Sequence, residues 1–222
     1  MPPDEIGSAL QDLGDQDAVT RGRAVDRIAE EGDRRLSASL WPLLKDPDAV
    51  VRFKTACALA AQGDRRGEPV LLWALGNRDL AALSLEALID LCAPGAIPSL
   101  QAFARRRFLH PLERLLAFAA LHRAGDPAAA PRIEACLASS RPEERGFALE
   151  LCGRLALPGA LVRLTAVLAD PDDPHQLDAL RGLRALGDPQ ALPALERALS
   201  SPDDEVAALA REIARELKES RP

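Results

Sequence analysis

The groups of this 222-residue chain best suited to chemistry are three histidines, four cysteines and a large set of carboxylates. His110, His122 and His175 have no Glu beside them, so no paired His-Glu metal motif is present. Cys57, Cys92, Cys136 and Cys152 are widely scattered along the chain, and their spacing matches neither a CxxC redox pair nor a zinc module. Each lies in an apolar helical pattern, so they are expected to be reduced core thiols. No GxSxG, Walker loop or GxGxxG occurs. The carboxylates gather at helix starts and turns, where capping accounts for them. On these grounds no catalytic residue, metal or cofactor is expected, and the chain is not expected to be an enzyme.

The elements that would position such groups are helices. Hydrophobic residues make up 47% of the chain but aromatics only 3%, with no Tyr and five Phe. Ala and Leu dominate, and they head the helix scale, whereas the residues that favour strands are scarce. A net charge of −6 argues against a broad phosphate-binding surface and leaves room for local basic patches. The N-terminal MPPDEIGSALQDLG has neither a basic nor an apolar signal region. No apolar run approaches the roughly 18 residues of a membrane helix. A cytoplasmic protein with no membrane partner is expected.

The main signal is a repeat. DQDAVTRGRAVDRIAEEGD at 15–33 superposes without a gap on DPDAVVRFKTACALAAQGD at 46–64, an offset of 31. Steps of 31 carry Arg21 to Arg52, Leu83, Arg114, Arg145, Gln176 and Ala207, with no expected slip of register. Gly32, Gly63, Pro94, Gly125, Ala156 and Gly187 form a column of helix breakers. Each unit reads as two helices. Leu40/Leu44, Leu71/Leu75, Ile133/Leu137, Leu164/Leu168 and Leu195/Leu199 mark the core stripe of the first. One hairpin cannot bury its apolar face alone, so neighbours must stack. The expected fold is all-α: a right-handed α-solenoid of about seven hairpins, approximately 4–33, 35–64, 66–95, 96–126, 128–157, 159–188 and 190–219, in a single domain.

DPDAVVRFKTACALAAQGD and LRALGDPQALPALERALSSPDDEV at 183–206 resemble the short bacterial HEAT-like repeats first associated with phycobilisome lyases. The resemblance covers all seven units. It implies that second helices line a concave face where partners dock. It also implies that Arg21, Arg52, Arg114 and Arg145 reach an Asp of the inter-helix turn, forming a ladder interrupted at Leu83, Gln176 and Ala207. The paired His-Glu motifs of HEAT-type iron hydroxylases are absent.

Two surfaces are candidates for binding. Positions off the core stripe in repeats four to seven supply His122, Arg123, Arg154, Arg181, Arg184 and Arg215, with Glu150 and Glu212 as counter-charges. They read either as a basic groove for an acidic peptide or polyanion or as a solvated face with internal ion pairs. In repeats three and four, Ala102 and Arg106 stand where a Leu pair belongs, and Arg105, Arg106 and Arg107 precede Phe108 and His110. The helix at 80–92 places Leu85, Leu88 and Leu91 beyond the core stripe. That combination suits an amphipathic partner helix beside a basic corner, or marks a well-buried middle with a solvated turn. Trp41 and Trp73 fall in different columns, so core or convex-surface packing is expected rather than a stacking ladder.

The expected function is a non-enzymatic adaptor that binds a protein or peptide, with an acidic segment where the basic groove is used, on the concave face. A bilin lyase or bilin chaperone is the alternative that the resemblance implies. A DNA-binding or DNA-repair protein comes second, with nucleic acid disfavoured by charge and by the lack of Tyr.

Overall fold

The structure, a computed structural model, describes residues 3–219. They form fourteen α-helices and no strand, in two compact units. Residues 1–126 hold α1 Pro3–Asp12, α2 Ala18–Glu31, α3 Ser37–Leu40, α4 Ala49–Ala61, α5 Glu68–Ala74, α6 Ala81–Leu91, α7 Ile97–Ala104 and α8 Pro111–Arg123. Residues 127–222 hold α9 Ala129–Cys136, α10 Pro142–Arg154, α11 Ala160–Ala169, α12 Gln176–Leu186, α13 Leu192–Ala198 and α14 Asp204–Glu219. Each unit is a solenoid-type stack. The longer second helices pack in order, α2 on α4 on α6 on α8 in one and α10 on α12 on α14 in the other. Among the described residues no helix is long and apolar enough to cross a membrane.

Local chemistry explains the element ends. Asp48 caps α4 by accepting from the amides of Val50 and Val51 at 2.8 and 3.0 Å, satisfying donors that the first helical turn leaves open. The Asp after several of the breakers does similar work one turn later. Asp33, Asp64 and Asp188 accept from the amides of Arg35, Arg66 and Gln190 and so start a short 3-10 turn. The first-helix stripe is the core: Leu40, Leu71, Leu100, Ile133, Leu164 and Leu195 are all buried.

Leu100 corrects the repeat register. The left-handed residue that ends α6 is Cys92 (φ 49°), not Pro94, so it falls two positions short of a full repeat after Gly63 (φ 78°). The following 3-10 turn and α7 come early with it. The core position is therefore Leu100 rather than Ala102, and Arg106 never belonged to the helix stripe. The lost length returns in the connection 105–110, so α8 begins at Pro111, back in register with Ala49 at the start of α4.

The arginine ladder is also narrower than expected. Arg21 grips Asp46 with Nε and an NH2 at 2.7 and 2.8 Å, and Arg145 grips Asp173 at 2.9 and 2.6 Å. Arg52 and Arg114 instead donate to backbone carbonyls, of Asp46 and Pro47 and of Ala104 and Arg106. The counterpart of Asp46 in the next repeat is Asn77, so the carboxylate that Arg52 would take is missing. Gln176, expected to interrupt the series, performs the carbonyl half of the job on Leu168 and Asp170. What recurs in this column is a side chain that ties down the turn before its own helix.

Glycine permits a close helix crossing. A Cβ on Gly153 of α10 would lie 1.9 Å from the carbonyl oxygen of Gly182 on α12, and one on Gly182 would lie 2.7 Å from the carbonyl oxygen of Leu149. Side chains elsewhere hold helices about 8–10 Å apart; here backbone meets backbone.

Candidate functional site

In the second unit, the charged faces of α10, α12 and α14 carry the expected Arg residues, but the charges of Arg181 and Arg184 are already answered. Arg181 bridges Asp178, one turn back on α12, at 2.8 Å and Glu150 on α10 at 3.2 Å. Arg184 reaches Glu212 at 2.8 Å and also Glu216, both on α14. Asp178 and Glu216 thus join Glu150 and Glu212 as counter-charges. The surface is therefore a charge-balanced face and not a basic groove at these two positions. Arg154 and Arg215 are exposed on α10 and α14. His122, half-buried, and Arg123, exposed, belong to the other unit, where Arg123 Nε donates to the carbonyl of Ile89 at 3.4 Å.

Sequence reasoning misses a histidine pair. His175 is 7% exposed, and its Nδ1 lies 2.9 Å from a carboxylate oxygen of Asp178. Its backbone N–H donates to Asp173. The result is a continuous chain, Arg145 to Asp173 to His175 to Asp178 to Arg181 to Glu150. The Arg145 guanidinium holds the Asp173 carboxyl below its ordinary range, working against its burial. The sequence signal is the three-residue spacing of His175 and Asp178, which puts both on one helical face; inspection of immediate neighbours cannot see it. Gly146 makes room for the pair, since a Cβ there would meet Asp178 Oδ2 at 2.4 Å.

The first unit overturns the expected apolar strip. Leu85 and Leu88 are 0% and 1% exposed, and Leu91 is buried too, so α6 turns all three into core. The reason is its position: α6 is covered by α4, α5 and α8. The exposed leucine of this helix is Leu83, in the column where other repeats carry Arg. Neither Trp is core. Trp41 is 39% exposed, donates Nε1–H to Asp64 at 2.9 Å and lies under the Arg66 guanidinium at 3.9 Å; Trp73 is 59% exposed.

The connection 105–110 stands out. Phe108 is 91% exposed, the most exposed large hydrophobic among the described residues. Arg105, Arg106 and Arg107 beside it are all exposed. The segment is nonetheless held firmly. Arg106 donates to the carbonyl of Leu75 at 2.8 Å while its guanidinium lies over the Phe103 ring at 4.5 Å. Arg114 clamps the carbonyls of Ala104 and Arg106 from α8. Arg107 sits over the Phe108 ring at 5.7 Å. Between this segment and the 75–81 turn lies an open cleft of about 310 Å³, lined in part by Leu75, Ala81, Phe103 and Leu109.

The thiols are only partly as expected. None of the four is in a disulfide, but only Cys152 is fully buried. Burial pushes the Cys57 thiol up to about 11 and raises Cys152 as well, which keeps both protonated at neutral pH. No group of three or more His, Cys, Asp or Glu side chains capable of holding a metal is found among the described residues.

Residues 130–214 match the family described as HEAT repeats. No curated protein matches the chain in sequence. Among solved structures, the chain resembles one from the complex of CpcE and CpcF of phycocyanin lyase from Nostoc sp. PCC7120. That match has 20% identity and a TM-score of 0.61, and covers 96% of this chain and 94% of that one. Human deoxyhypusine hydroxylase in complex with glycerol also matches, with 20% identity and a TM-score of 0.42 over 98% and 97% of the two chains. The first of these matches corrects the expectation that the chain is not an enzyme. The fold it shares with the first structure is one on which a lyase is built, so neither a helical stack nor a lack of local motifs excludes catalysis. In such a stack, polar groups one repeat apart in sequence meet across helices, as Arg181 and Glu150 do, and no short motif records them.

Proposed function

We propose that this chain, whose residues 130–214 match HEAT repeats, binds a partner polypeptide, and that the segment 105–110 is its docking element. The observation that carries this reading is Phe108. A single exposed apolar side chain is ordinary on a protein surface, but Phe108 stands beside the exposed Arg105, Arg106 and Arg107. Here it is held out on a connection braced by Arg106 and Arg114, so it loses little freedom on contact. Rigid aromatic and Arg side chains are the usual anchors of protein interfaces. The solved neighbour is a chain from a two-protein complex, a precedent for such a stack working bound to another polypeptide.

The test is site-specific crosslinking in the cell of origin. A benzoylphenylalanine replacing Phe108 is expected to give a discrete adduct with another polypeptide on irradiation. The same group replacing Val162, an exposed residue of the other unit, should give none. Absence of any adduct at position 108, or equal yields at both, contradicts the assignment.

A further inference from the structure

We propose that the cleft beside Phe108 recognises a segment of the partner that carries carboxylates next to a bulky apolar side chain. This deepens the docking assignment above and rests on it.

The chain carries −6 overall, and its arginines elsewhere are mostly engaged: Arg21, Arg145, Arg163, Arg181 and Arg184 all have carboxylate partners. Around the cleft the pattern reverses. Among the described residues none of Arg78, Arg105, Arg106 and Arg107 has an ion pair, and Glu113 is the sole carboxylate in the cleft lining. Arg106 is used as wall, against Phe103 and Leu75. Arg78 and Arg107, both in the cleft lining, keep their forks available, and a guanidinium fork matches a carboxylate in two parallel hydrogen bonds.

Shape supplies the second half. The floor is apolar, from Leu75, Ala81, Phe103 and Leu109, and Phe108 forms one lip. About 310 Å³ suits one or two side chains and not a folded domain. A nucleic acid or an anionic membrane would engage the same arginines, but either would bring its many charges against an acidic protein with a small basic area to hold it. A peptide carboxylate with an adjacent apolar group fits both halves of the site.

The experiment uses the full chain and a short fluorescein-labelled peptide of alternating Glu and Leu, read by fluorescence anisotropy, with the all-Gln counterpart as control. The Glu peptide should bind, and the Gln peptide should bind about tenfold more weakly or worse. A double variant Arg78→Glu, Arg107→Glu should lose binding, and Phe108→Ala should weaken it about tenfold. Arg184→Glu, on the other unit, should leave it unchanged. Circular dichroism confirms that the variants fold. Equal binding of both peptides, indifference to the Arg78/Arg107 reversal, or tighter binding of phosphatidylserine vesicles or duplex DNA at the same ionic strength would each overturn the proposal. An adduct at position 108 with no Glu-peptide binding would leave the docking assignment standing and remove only the chemistry inferred here; loss of both removes both.

Discussion

Gly153→Ala should unfasten the second unit at its tightest point. The added Cβ would lie 1.9 Å from the Gly182 carbonyl oxygen, 2.5 Å from its carbon and 2.7 Å from its Cα, where ordinary contact begins near 3.4 Å. The two backbones must therefore separate by about 1.5 Å, because a carbonyl in the middle of a helix cannot rotate away. Overpacking of this kind costs about 1–3 kcal/mol, and a backbone obstacle places it at the upper end. Alanine returns about 1 kcal/mol through its helix propensity, leaving a net loss of about 2 kcal/mol. In a chain of this length that corresponds to a fall of about 4–8 °C in the melting temperature. Thermal unfolding followed by circular dichroism measures it, with Gly7→Ala as the control. Gly7 lies within α1, and a Cβ there meets nothing within 4 Å, so that change should stabilise by up to about 1 kcal/mol. Should Gly153→Ala melt at or above the parent while the control behaves as stated, α10 and α12 do not touch backbone to backbone and the reasoning fails.

Two further outcomes follow from the turn-tying column. Arg145→Ala removes a two-point carboxylate grip in which the side chains are 24% and 12% exposed, and should cost about 2 kcal/mol, between an exposed pair and a buried one. Arg52→Ala removes only bonds to carbonyls and should cost about 1 kcal/mol; equal losses in urea denaturation would show that the carboxylate adds nothing. The second outcome concerns acid. Hydrogen bonds from Arg21 and Arg145 hold Asp46 and Asp173 below their ordinary range. A carboxyl lowered in the folded state contributes stability that is fully present above its unfolded value, about 3.9, and lost as pH falls through the folded value. Stability should therefore fall below about pH 4, and Asp173→Asn should make that fall shallower; parallel curves for parent and variant would refute the coupling.

The sequence made the architecture legible because stacking forces every hairpin to repeat the same few core contacts. Leu40, Leu71, Ile133, Leu164 and Leu195 are buried as their spacing indicated. Sites were harder, for three separate physical reasons. Leu85 and Leu88 looked surplus because a helical wheel shows one stripe, whereas α6 packs against neighbours on several sides. Arg181 and Arg184 looked like a basic surface because several of their partners sit on adjacent helices, about one repeat away in sequence. His175 looked isolated because its partner is one turn along the helix and not beside it.

The connection 105–110 joins the core and the surface in one argument. Loss of two residues before Cys92 draws the following turn and α7 forward, yet α8 must still pack on α6 to bury Leu115, Leu116 and Phe118. Those two constraints cannot both hold unless the chain regains its length between α7 and α8. The regained residues have no place in a stack whose helices are already paired, so they must bulge outward. Leu109 turns back into the cleft lining, while Phe108, with no core position left to take, remains in solvent. A bulge forced only by length would be satisfied by any polar sequence, and Gly, Asn or Ser would form it with less exposed apolar area. Of Arg-Arg-Arg-Phe, Arg106 braces the turn, while Arg105, Arg107 and Phe108 add two exposed charges and an exposed ring that the length requirement does not ask for. That excess over what folding requires supports the docking role proposed for this segment.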